Sequence, residues 1–125
     1  MNFEAVTECT YWWPVTVRLP SHIKEDAGKL TSHEFKMRFR AIDRDAALAA
    51  REEYAALTSE REVVEHEVAD ILANCVDWDG VTSGGTALAF TEDNLRKALQ
   101  KTWFRTAVYE AMAESLSGDE ARLGN

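Results

Sequence analysis

His66 and Asp70 are the pair whose types and spacing come nearest to chemistry. They stand four residues apart, one helical turn, so an imidazole and a carboxylate could share a metal ion or relay a proton. On a helix such a pair is more commonly a surface contact, and the nearby Glu62, Glu65 and Glu67 read as a solvated face. His22 and His33 flank a polar stretch. Asp77 and Asp79 resemble paired carboxylates, but beside a helix end they suit turn formation better. Ser83 and Thr86 lack the Gly-x-Ser-x-Gly setting of an activated nucleophile. Gly84-Gly85 lacks the Lys-Ser/Thr ending of a phosphate loop. Cys75 falls on an apolar stripe, the place of an inert core thiol. Cys9 lies far from it without CxxC spacing, so both thiols read as free in a reducing compartment. These residues assign no catalytic centre, no cofactor site and no metal site.

The elements that hold these residues follow from periodicity. Trp13, Val15, Val17 and Leu19 alternate with Pro14, Thr16 and Arg18, and Phe35, Met37, Phe39 and Ala41 alternate with Lys36, Arg38 and Arg40. Period two predicts two half-buried strands, a β-hairpin over residues 11–41, with Pro14 at a strand start or a sheet edge. Residues 20–32 read as a long, mobile loop between them. A lone two-stranded ribbon is marginal in water, so it must lie on helices or join another chain. Trp12 and Trp13, adjacent on a strand, point to opposite faces. Trp12 is the one expected to be exposed or to meet a partner.

From residue 43 the period turns helical. Asp43 or Asp45 can cap an Ala-rich helix from Ala46 to Leu57, with Leu48 and Tyr54 among its larger contacts. Ser59 with Glu62 forms a capping box for a second helix, whose stripe is Val64, Val68, Ile71, Leu72 and Cys75. That helix is expected to run to Asp77-Trp78-Asp79-Gly80-Val81, with Trp78 and Val81 packing back past its end. Gly80 supplies the positive φ of a helix stop, and Gly84-Gly85 marks a second turn. Phe90 and Leu95 form a hydrophobic staple around the cap Thr91. A third helix runs from Glu92 to about Lys101. A fourth buries Trp103, Phe104, Ala107, Val108, Ala111, Met112 and Leu116 and stops at Gly118. The fold expected is one α+β domain over residues 1–125, mainly α-helical. Its N-terminal antiparallel β-hairpin packs on about four helices that span 43–118, and residues 1–10 and 119–125 are flexible termini.

The 125 residues suit one core. The formal net charge of −8 argues against nucleic acid as a general partner. The N-terminus lacks the apolar run of a signal peptide, and no stretch is long enough to span a membrane. The charge is uneven: residues 1–42 carry a net +1, residues 43–79 a net −8 and residues 80–125 a net −1. Arg18, Lys36, Arg38 and Arg40 on one ribbon face, with Trp12, form a candidate interface. It could meet the acidic helices of another copy head to tail, giving rings or open spirals.

A Trp-x-Gly-Val motif at Trp78, Gly80 and Val81 precedes a turn, then Phe90-Thr91, Asn94 and Leu95, then a last helix with aromatics. Over residues 64–116 this pattern resembles the tail assembly chaperones of long-tailed bacteriophages and prophages. The paired Trp12-Trp13 and the acidic middle have no counterpart in the family's pattern. The resemblance implies a non-enzyme that oligomerises and binds the tape-measure protein. It would keep that protein soluble in the host cytoplasm until tail-tube protein polymerises around it, and it would be absent from the mature virion. Many members of the family are also made as a longer frameshifted product. The residues themselves leave a second reading open: a small acidic adaptor or inhibitor that masks a basic partner with the Glu-rich residues 52–70.

Overall fold

The computed structural model describes Phe3 and residues 9–117. Most of the expected flexible termini, and the helix stop at Gly118, lie outside the described residues. The elements run β1 (Thr10–Pro20), β2 (Leu30–Arg40), α1 (Arg44–Ala55), α2 (Glu60–Asn74), β3 (Cys75–Asp79), β4 (Thr82–Ser83), β5 (Thr86–Ala87), α3 (Glu92–Leu99) and α4 (Thr102–Ser117). The N-terminal hairpin gains a third strand. β1, β2 and β3 form an antiparallel sheet in that order, and β4–β5 form a separate hairpin.

The α+β expectation is thereby corrected in its proportions: the fold is not mainly α-helical but has 49% helix against 28% strand among the described residues, with a three-stranded sheet in place of a lone hairpin. The error lies at residues 75–79. They continue the apolar spacing of α2, yet they pair with β2. The pairing sets Phe39 opposite Cys75, then Arg38 opposite Asp77, and leaves Val76 as the extra residue of a bulge. Cys75 and Trp78 stand three positions apart, which in a regular strand would put them on opposite faces. The bulge resets the alternation, so both are buried.

The core lies between one face of the sheet and three helices. Val15, Val17, Phe35, Met37 and Phe39 come from the sheet; Ile71, Leu95, Leu99, Ala107, Val108, Ala111 and Met112 come from α2, α3 and α4. Each large aliphatic side chain buried there contributes about 1.5–3 kcal/mol. The β1–β2 register sets Thr10 opposite Arg40 and Pro20 opposite Leu30. Pro14 sits inside β1, which is an edge strand, where a missing N–H costs least. The connection from Ser21 to Lys29 is shorter than expected and closed: the Ser21 N–H donates to the Lys29 carbonyl at 2.9 Å around a 3₁₀ turn at Lys24–Asp26.

Local caps agree with the sequence. Asp43 caps α1 through the Ala46 N–H, Ser59 caps α2 through the Glu62 N–H, and Thr91 caps α3 through the Asn94 N–H. Gly84 and Gly85 both have positive φ, the requirement of the tight turn between β4 and β5. Two residues of the expected α4 stripe lie elsewhere, since Trp103 and Leu116 are both exposed.

Candidate functional site

The Trp78 corner is a structural site. Trp78 faces Met37 across the sheet, and its indole N–H donates to the Leu88 carbonyl at 2.7 Å. Phe90 meets it edge-on at 5.2 Å and Phe104 at 6.3 Å, and Phe104 stacks on Phe35 at 5.4 Å. Gly80 turns the chain at φ 96°, directly over Phe35: a Cβ there would lie 3.4 Å from the Phe35 Cβ. Val81 accepts the Leu88 N–H through its carbonyl, and Leu95 is buried at the fourth position of α3. The motif residues Trp78, Gly80, Val81, Phe90, Thr91 and Leu95 thus lock β3, the β4–β5 hairpin and α3 onto the sheet.

The candidate interface lies on the opposite side of the sheet. Register and alternation bring Trp12, Arg18, Lys36, Arg38 and Arg40 onto one outer face. Trp12 is 44% exposed, with the Arg38 guanidinium 5.9 Å from its ring centre. Arg38 also donates to the Thr10 hydroxyl at 2.8 Å. The third strand changes the electrostatics of this face. Asp79 stands opposite Lys36 and Asp77 opposite Arg38, so acidic groups of the same chain flank the cations that were to meet another copy. The two aspartates read as turn formers belong to a strand, because residues 75–79 pair with β2.

A third region carries the groove that sequence reasoning missed. α1 buries no residue, and Leu48 and Tyr54 on it stay 44% and 40% exposed. α1 faces Asp70 and Asn74 of α2 and Tyr109, Met112, Ala113 and Leu116 of α4 across a cleft of about 690 Å³. The spacing on α4 is i, i+3, i+4 and i+7, one helical stripe.

At one end of the groove lies the His66–Asp70 pair, where it is not a solvated surface contact. The His66 side chain is only 10% exposed, with Nε2 3.1 Å from Asp70 Oδ2 and Nδ1 4.0 Å from Glu53 Oε2. The Nε2–Asp70 approach is short enough for an ion pair but poorly aligned for a hydrogen bond. Tyr54 covers the imidazole edge-on at 5.7 Å and stacks on Tyr109 at 6.4 Å. Close by, the half-buried Arg105 Nε donates to Glu67 Oε1 at 3.3 Å. Burial raises the Asp70 carboxyl above its ordinary range; His66 opposes this and Glu53 adds to it. The Tyr109 hydroxyl is pushed up to about 12 by burial, with Asp70, Glu67 and Tyr54 adding to the shift. Cys75 is likewise pushed up to about 12 by burial alone. Among the described residues no three His, Cys, Asp or Glu side chains gather into a group that could hold a metal ion. The groove is lined mainly by apolar side chains with the Asp70 carboxylate among them, an arrangement suited to binding. Among the described residues no helix is long and apolar enough to cross a membrane.

Comparison of the chain with protein-family models, with curated proteins and with solved structures finds no match.

Proposed function

We propose that the chain is a non-enzymatic assembly chaperone of the phage-tail type. It associates with copies of itself and holds the apolar helical stretches of a tape-measure protein soluble in the host cytoplasm. It releases them as tail-tube protein polymerises and does not remain in the virion. The observation that carries this reading is the open groove between α1 and α4, where three exposed large apolar side chains, Leu48, Tyr54 and Leu116, line one cleft. A cleft of that volume and chemistry suits an amphipathic helix, and repetition over an oligomer turns weak single contacts into avidity. The Trp78 corner, with its Trp-x-Gly-Val motif, supports the family reading from the sequence side.

Co-expression with a phage tape-measure protein tests the proposal. A large, soluble, multi-copy complex in a pull-down, sized by light scattering, is the expected result. A monomer eluting alone, with the client insoluble, removes it. Tight binding to a basic protein that collapses with salt would then favour the acidic adaptor.

A further inference from the structure

We infer that the α1–α4 groove is the docking site for an amphipathic helix of a partner chain that carries a lysine or arginine inside its apolar stripe, and that this cation meets the Asp70 carboxylate. The inference rests on the chaperone reading only in assigning the helix to a client.

Shape comes first. α1 has 12 residues, so the groove's long wall extends roughly 18 Å, about three turns of a partner helix. Leu48 on α1 and Leu116 on α4 are exposed at 44% and 41%, and Met112 rises from the core beside them. Apolar groups left in water on two facing walls present a surface that a third apolar stripe would complete.

Charge then selects the occupant. Asp70 is the acidic group of α2 that lines the groove, and its side chain is 25% exposed. From α1 it faces Glu53, from α4 the Tyr109 hydroxyl, and on its own helix the His66 imidazole. A carboxylate half-removed from water beside a second carboxylate is destabilised in its charged form, and an arriving cation relieves that destabilisation. A purely apolar helix would bury the charge further, and an acidic one would add repulsion. At the rim the signs reverse. Arg44 and Arg51 of α1 line the mouth, Arg44 with Asp45 at 3.8 Å, and the other carboxylate of the lining, Asp43, is engaged as the cap of α1. The fitting partner therefore carries its basic residue in the stripe and acidic residues on the flanks.

The test uses the full chain and two synthetic helical peptides of about 18 residues, long enough to span the groove. They share a leucine stripe and differ only in a central Lys or Glu. Calorimetry is expected to show the Lys peptide binding about tenfold more tightly than the Glu peptide. Amide shifts should concentrate in residues 44–55 and 109–116. Asp70→Asn should erase the preference between the peptides, and Leu48→Asp, at an exposed position, should abolish binding with the circular dichroism unchanged. Equal affinities, no binding of either peptide, shifts on the outer sheet face, or a homodimer that seals the groove would each overturn the inference. The two proposals fail separately. Loss of co-purification with the peptide preference intact removes the chaperone reading and leaves the groove. Co-purification that survives Leu48→Asp leaves the chaperone and removes the groove.

Discussion

The two ends of this molecule treat apolar side chains in opposite ways. Around Trp78, aromatic and aliphatic groups from the sheet, α3 and α4 close over one another, and the indole N–H finds a carbonyl. Around α1, a well-capped helix buries nothing. The difference separates what folds the chain from what the chain offers to others. Helix propensity and an Asp43 cap favour α1 without sufficing for it at 12 residues, and its C-terminal turn adds contacts through Tyr54 and the Glu53–His66 approach. Substitutions should therefore sort by region: stability effects at the corner, binding effects at the groove.

Trp78→Ala is the largest expected stability effect. It removes a buried ring, its contacts with Phe90 and Phe104 and one hydrogen bond, and should cost about 3–5 kcal/mol in chemical denaturation. A loss under about 1 kcal/mol would mean that the corner does not carry the fold. Gly80→Ala comes next. The backbone there sits at φ 96°, where an L side chain is strained, and the added Cβ would come into van der Waals contact with Phe35, so a loss of about 1–3 kcal/mol is expected. Gly84→Ala, at φ 59° with nothing within 4 Å, is the control. Equal losses at both glycines would assign the effect to backbone strain alone.

The two cysteines sharpen the same contrast. Cys75 is buried and Cys9 exposed. A thiol-directed reagent should label Cys9 in the native state and reach Cys75 only on unfolding. Because the folded thiol of Cys75 is raised from 9.0 to about 12, the native state keeps its proton while the unfolded state loses it. Stability should therefore fall as pH climbs from about 9 towards 12. Cys75→Ala should flatten that slope. An unchanged slope would show that other groups, Tyr109 among them, set the alkaline limit.

Much of the frame was legible in the sequence, and the reason is local. Period two places Val15, Val17, Phe35, Met37 and Phe39 on one face without reference to any partner. The Asp43, Ser59 and Thr91 caps each depend on an N–H three residues away. What escaped was non-local. Ile71, Cys75 and Trp78 recur at i, i+4 and i+7, the signature of a helix, but Ile71 lies in α2, and only the bulge at Val76 lets Cys75 and Trp78 share one face of β3. The acidic neighbours of the ribbon were hidden for the same reason: Asp77 and Asp79 are distant in sequence but stand across from Arg38 and Lys36. The groove was hidden because α1's thin stripe reads as weak packing. Its meaning depends on where α4 passes, and no spacing within α1 reports that.

The smallest stability effect belongs to the groove, and there the comparison becomes decisive. Leu48 already meets water over nearly half its surface, so Leu48→Ser gives up little burial. It should change unfolding free energy by less than about 0.5–1 kcal/mol, the range of surface substitutions plus a small propensity loss. Leu116→Ser should behave alike at the far wall. If either variant instead unfolds the chain, α1 is part of the core and its exposed leucines are no surface for a partner. If both fold as the parent does and lose the helical peptide, then α1 is held open by its own cap and propensity. On that outcome the chain leaves in α1 a wall for a helix that another chain supplies.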